Sequence, residues 1–232
     1  MTRKELIRKA DEVDSDGFVE RILDVYPLTK NAELAAVLFA WISNGFNREY
    51  FVMTDCINNI IRGGIYDFIC GYDTHRTFAP NGIETFYGTL TYAQLDALCL
   101  SLSRIIKEWG SLCEAYQASY KEHKCKMPHE AFFYAIGGGC GFPKRSANCT
   151  FYRYNLLFYW LTYKMHIWED VDISSALLPC NDKVLQSAYE LGVVRNRMKA
   201  NLSNVITLSD KARDWFGEDD FFKMYQLLNF YE

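Results

Sequence analysis

The sequence predicts an all-α, multi-helix globular fold, and three observations lead there. Capping boxes open apolar segments at Thr2 with Glu5 and at Thr91 with Gln94. Apolar residues then recur at three- and four-residue spacing, and no segment shows a convincing alternating strand series. Half of the 232 residues are hydrophobic, 16% are aromatic and 23% are charged, which supplies a large core and excludes intrinsic disorder. This length fits one helical domain over 1–232, with a division into two lobes, about 1–30 plus 130–232 and about 31–129, left open.

The elements follow in order. Thr2 and Glu5 start a helix at the amino terminus. Asn31 caps a second, in which Leu34, Val37, Leu38 and Trp41 form one apolar stripe, and Asn44-Gly45 stops it. Asn47 opens a helix ending at Gly63-Gly64. The Thr91 helix carries Leu95, Leu98, Leu102, Ile105 and Ile106 on one side and reaches about Trp109. Residues 146–164 are rich in Tyr and Phe, lack hairpin turn pairs and exceed a typical strand, so they read as a buried helix. Pro179 suits the first turn of a helix bearing Val184, Leu185, Ala188 and Leu191 and closed by Gly192. Two more helices fill the carboxyl end, about Leu202 to Phe216 and Asp219 to Phe230. Residues 63–90 and 121–145 read as the long connections.

Charge narrows the partners. With 25 basic and 29 acidic side chains the formal charge is −4 and the pI about 5.6, which argues against a polybasic binder, so contact with nucleic acid must use a local patch. The longest apolar stretches, 35–42 and 156–162, fall far short of the roughly 20 residues that cross a bilayer, and the charged amino terminus is not signal-like. A cytoplasmic protein without a membrane partner is expected, with the oligomeric state open and a monomer favoured. The eight cysteines contain no C-x-x-C and read as free buried thiols.

Phosphate-loop, dinucleotide, G-x-S-x-G and H-E-x-x-H motifs are absent, so no cofactor is expected. His123, Cys125 and His129 with Cys140 offer zinc-preferring atoms, but they lack the paired spacing of structural zinc sites, and no metal is expected. Gly137, Gly138, Gly139 and Gly141, followed by Lys144 and Arg145, are better candidates for chemistry. Glycines let backbone N–H groups approach a phosphate, and the two bases add charge; a plain flexible connection is the alternative. Arg153 and Lys164 extend a basic strip. In Leu178-Pro179-Cys180-Asn181-Asp182-Lys183 an acid stands at a helix start, where the N-terminal dipole favours it, whether as a cap or as a functional group.

Several stretches in fixed order carry a family resemblance. They are Glu33-Leu34-Ala35-Ala36 with Trp41, Gly45-Phe46-Asn47-Arg48, Tyr66-Asp67-Phe68-Ile69, His75-Arg76-Thr77-Phe78, Ser146-Ala147, Arg153-Tyr154-Asn155 with Trp160, Trp168, Leu178-Pro179 with Val184, and Leu191-Gly192. From about Asn31 onward the chain resembles an uncharacterised bacterial family of conserved hypothetical proteins, itself distantly similar to the helix-hairpin-helix DNA glycosylases of the endonuclease III superfamily.

The resemblance implies a glycosylase-like helical fold and a DNA partner, duplex and either damaged or abasic. In that superfamily an aspartate two residues after a proline serves the departure of a flipped-out base, and lyase-type members add a lysine amine. Here Asn181 occupies the aspartate position, with Asp182 one place on, and Lys183 stands where the resembled family usually has histidine. The family's Lys-Arg pair reads Tyr152-Arg153. Either catalysis is lost, or it is rebuilt from Asp182 with Lys183 or Lys164. Phe142, Tyr152, Tyr154 and Trp168 are stacking surfaces for a base or members of the core. Arg76 contacts a DNA phosphate or staples Asp67 or Asp73. The implied function is DNA binding of the glycosylase type, with base excision or abasic-site cleavage; a non-catalytic nucleic-acid or protein-binding module, or an oligomeric scaffold, is the alternative.

Overall fold

The computed structural model describes residues 1–13, 17–43, 64–73, 78, 84–137, 140–142, 146 and 148–230. They are mostly helical and form two compact units, 1–20 with 145–232 and 21–144. The helix expected from Asn47 to Gly63 lies outside the described residues.

In the first unit α1 (Arg3–Glu12) begins on the Thr2/Glu5 capping box, in which both reciprocal hydrogen bonds form. α2 (Gly17–Val25) runs across the division into the second unit, where α3 (Thr29–Ile42) follows. α3 departs from the expected single stripe, because Ala32 to Ile42 is buried on every side. Ala32, Ala35, Ala36 and Ala40 occupy the face opposite Leu34, Val37, Leu38 and Trp41, and a helix apolar all round is a core helix. It also starts two residues before Asn31, with Leu28 at the N-cap position. The Asn31 side chain is used elsewhere, since its Oδ1 accepts from the Tyr66 N–H at 2.8 Å and ties α3 to α4 (Ile65–Cys70).

Within 63–90 the structure adds α4 and a two-stranded antiparallel hairpin, β1 (Thr85–Tyr87) with β2 (Leu90–Thr91), too short to appear as an alternating pattern. α5 (Tyr92–Trp109) starts on the Thr91/Gln94 capping box and buries Leu95, Leu98, Leu102, Ile105 and Ile106. Two further helices lie where the sequence suggested none or a connection: α6 (Leu112–Glu122) and α7 (Pro128–Ile136), which pack together as an antiparallel-type hairpin of helices joined by five residues. Pro128 occupies the first turn of α7, the position where its missing N–H is harmless. The amino end of α6 is capped twice. Ser111 Oγ accepts from Glu114, and the buried Glu33 carboxylate of α3 accepts from the Leu112 and Cys113 N–H groups, each at 3.0 Å.

The first unit resumes with α8 (Tyr152–Tyr159), which continues into one π-helical turn, Trp160–Lys164. The expected helix from 146 therefore starts six residues late, at Tyr152, after Phe151, whose left-handed φ of 53° breaks the helical path. α9 (Asp182–Glu190), α10 (Leu202–Phe216) and α11 (Lys223–Phe230) complete the unit, with α9 and α1 both packing on α11. Pro179 lies outside α9, two residues before the Asn181 cap. The core of this unit holds Tyr154, Leu157, Tyr159, Trp160, Val184, Leu208 and Leu227. All described cysteines are free, and no helix among the described residues is long and apolar enough to cross a membrane.

Candidate functional site

The amino end of α9 is built from a buried approach. Ala176 to Cys180 run through the interior, held to α10 at two points. The Leu178 N–H donates to Ser209 Oγ at 2.9 Å, and the Arg213 guanidinium donates to the Ala176 carbonyl. Arg213 is itself fixed by Glu218 at 2.8 Å and lies over the Phe221 ring, 4.3 Å from its centroid. These ties deliver Asn181 to the surface in extended conformation. Its Oδ1 accepts from the Val184 N–H at 2.9 Å, which satisfies one of the donors a helix start leaves open.

Asp182 follows in the first turn and is exposed. Lys183 Nζ donates to the Asn229 carbonyl at 2.8 Å, at the carboxyl end of α11, where a cation complements the negative end of the helix dipole. Lys164 closes the π-helical turn and is half-buried. Asn181, Asp182, Lys183 and Lys164 thus all belong to the first unit, with the first three consecutive at one helix start. As an arrangement, it offers a solvated carboxylate beside a capping amide and an amine already engaged by a backbone oxygen.

Arg153, also in this unit, lies on the first turn of α8, and burial pushes its pKa below the ordinary arginine value, opposed by Tyr152. Tyr152, Tyr154 and Trp168 are buried here, as Phe142 is in the second unit, so these rings belong to the core. In the π-helical turn Tyr163, whose ring lies against Tyr159 and Phe222, has its phenol pushed up to about 12, first by burial and then by the neighbouring Asp220 charge.

The glycine turn is part of the second unit. Gly137 ends α7 with φ +85°, and its N–H already donates to the Phe133 carbonyl at 3.1 Å. Gly141 has φ +83°, and a Cβ there would meet Trp41 Nε1 at 2.8 Å. Trp41 in turn donates to the Cys140 carbonyl, so the chain passes against the indole where only glycine fits. Gly141 therefore has a packing task and Gly137 a conformational one at the end of α7, neither of which their sequence context revealed. Gly138, Gly139, Lys144, Arg145 and Arg76 lie outside the described residues.

Sequence reasoning missed Arg104. It is exposed on α5, its Nη2 lies 3.4 Å from the Ala135 carbonyl, and it lies 4.0 Å from where a Gly137 Cβ would stand. The available signal was a cation interrupting the apolar series Leu98, Leu102, Ile105. Of the atoms considered for zinc, the Cys125 thiol donates to the Ser119 carbonyl and the His123 ring stacks on Tyr134 with centroids 3.9 Å apart. Among the described residues no group of three or more His, Cys, Asp or Glu side chains is placed to hold a metal ion.

Fold and site together define a mostly α-helical protein with a polar helix start presented on a buried approach. The chain belongs to the DUF2400 family, a family of proteins of unknown function, which matches residues 21–226. No curated protein and no solved structure matches it significantly.

Proposed function

We propose that this protein binds duplex DNA, damaged or abasic, as a helical module of the glycosylase type. The reading is supported by the ordered resemblance over most of the chain and by the helix start after Leu178-Pro179, the position where that superfamily presents its reactive group. The observation that carries it is the Asn181 cap at the head of α9, whose side chain stands at the surface on a rigid, buried approach.

One arrangement favours binding without excision over excision. Asn181 is an amide that cannot supply the negative charge which stabilises a developing sugar cation, and Lys183 is engaged by the Asn229 carbonyl. Excision would fall to the exposed Asp182, with Lys183 or Lys164 as the amine.

The test measures binding of the full chain to duplexes carrying an abasic site or a panel of damaged bases at about 50 mM salt, where phosphate contacts are strongest. Micromolar or tighter binding is expected, and no detectable affinity ends the reading. Release of a base by the wild type, abolished by Asp182→Asn, selects the excising form. Binding with no release, and base release appearing in Asn181→Asp, selects the binding form.

A further inference from the structure

The hairpin joining α6 to α7 concentrates cations on a chain of net acidic charge. Lys121, Lys124 and Lys126 are all exposed, and no salt bridge joins any of them to a carboxylate among the described residues. Elsewhere Arg3, Arg8, Arg213 and Lys223 each lie within 4 Å of an acid. The acids close in sequence are Glu122, exposed on the last turn of α6, and Glu130, whose carboxylate accepts from the Lys126 and Met127 N–H groups. Glu130 is thus directed at the backbone of the turn.

The turn that carries the lysines is pinned. Cys125 between them is buried, and its N–H donates to the Tyr120 carbonyl at 3.0 Å. Lys124 sits at φ 49°, a left-handed conformation uncommon for a residue with a Cβ, which the bonds on either side hold in place. The exposed His123 ring lies flat on Tyr134 of α7, 16° from parallel, and so links the turn to the second helix. Buried Pro128 fixes where α7 begins.

Three exposed ammonium groups within six residues of one pinned turn concentrate positive charge that complements a polyanion. Ammonium groups are compact point charges without the fork that reads a base edge, so contact with them carries no sequence preference. We infer that the α6–α7 turn is a docking surface for the phosphodiester backbone of duplex DNA, contacting it through Lys121, Lys124 and Lys126. The inference rests on the DNA-binding reading above and assigns it a surface that the glycine turn and α9 do not supply.

The experiment compares three forms of the full chain on one undamaged and one abasic duplex, titrating from 50 to 200 mM salt. They are the wild type, a turn variant (Lys121→Gln, Lys124→Asn, Lys126→Gln, asparagine tolerating the left-handed backbone), and a charge-matched control (Lys4→Gln, Lys107→Gln, Lys199→Gln). Each phosphate contact contributes about 0.9 to the slope of log affinity against log salt, so loss of three lowers the slope by about 2.7. Across this fourfold salt range the wild type should lose about 40-fold more affinity than the turn variant, on both duplexes alike. The control should keep the wild-type slope. A wild type that binds DNA with a slope the turn variant shares overturns the inference and leaves the DNA reading standing. A control that falls as far as the turn variant also overturns it, because net charge then explains the effect. A wild type without affinity for either duplex removes the reading and the inference together. Thermal unfolding of all three forms, at matched temperature midpoints, establishes that the comparison is between folded proteins.

Discussion

Replacing Gly141 and Gly137 separately by alanine isolates what the glycine turn contributes to the fold. Both residues have φ near +84°, and Gly137 also has ψ 170°, so alanine suffers backbone strain of about 1–3 kcal/mol at each, and each gains the same small entropic offset from a stiffer unfolded chain. The surroundings differ. At Gly137 the nearest atom to the new methyl is Arg104 Nη2 at 4.0 Å, an ordinary contact with the end of a flexible side chain. At Gly141 the methyl meets Trp41 Nε1 at 2.8 Å, Leu90 Cδ2 at 3.2 Å and the Gln94 side chain at 3.4 Å. Trp41 is wholly buried and donates to the adjacent Cys140 carbonyl, so it cannot withdraw without breaking that bond. Overpacking of this kind costs about 1–3 kcal/mol, and the strained hydrogen bond about 1 kcal/mol more. Gly141→Ala should therefore be less stable than Gly137→Ala by about 2–4 kcal/mol, which separates their urea midpoints by about 1 M at the slopes usual for a unit of this size. The assay is urea unfolding followed by near-ultraviolet circular dichroism, which reports the packing of the aromatic side chains, Trp41 among them. Coincident midpoints for the two variants would refute the packing role assigned to Gly141.

Two further perturbations test the placement of single groups. Glu33→Ala removes the buried carboxylate that accepts from Leu112 and Cys113, and should destabilise the protein by about 3 kcal/mol in urea unfolding, given the strength of hydrogen bonds to ionised groups. A loss below about 0.5 kcal/mol would show that the cap at the head of α6 does not depend on it. Tyr163 supplies a pH dependence, because its phenol is raised to about 12 in the folded chain against an ordinary 10.0. Above pH 10 the unfolded chain releases this proton while the folded chain retains it, so stability falls as pH rises from 10 to 12 and is indifferent to this group below 10. Tyr163→Phe should flatten that part of the profile of melting temperature against pH, and an identical profile in both proteins would contradict the burial of the phenol.

Legibility in the sequence followed the range of the interaction. The capping boxes at Thr2 and Thr91 were readable because both partners lie within four residues. Asn31 shows the limit. Its residue type suits an N-cap, but its oxygen serves the Tyr66 N–H, a partner 35 positions away. Glu33 shows it again, since an acid in an otherwise apolar helix gives no hint that it caps α6 from 79 residues upstream. The burial of α3 on every side was hidden because alanine scores weakly beside leucine, although four alanines on one face are what allow close approach. At the candidate site the helix start and the residue types were legible, whereas the engagement of Lys183 by Asn229 was not, because carbonyl partners leave no trace in a sequence.

Asn181 shows why the fold and the chemistry of this helix start can part company. Aspartate and asparagine are nearly equal as N-caps, since each offers a side-chain oxygen to the N–H three residues on. An exchange between them leaves the cap, the buried approach from Ala176 and the packing of Val184 and Leu185 unchanged, so folding exerts no pressure in either direction. What differs is the amide's N–H donors and the charge, which the helix dipole favours by under about 1 kcal/mol and which bears on chemistry only if a substrate develops positive charge in front of the helix. For the displaced acid to substitute, the local backbone would have to shift, because one residue along a helix turns a side chain by about 100°, and Asp182 is exposed in the first turn while Asn181 faces back over the helix end. A chain that kept the scaffold for gripping DNA while giving up excision would present this pairing, a structurally faithful cap without its negative charge.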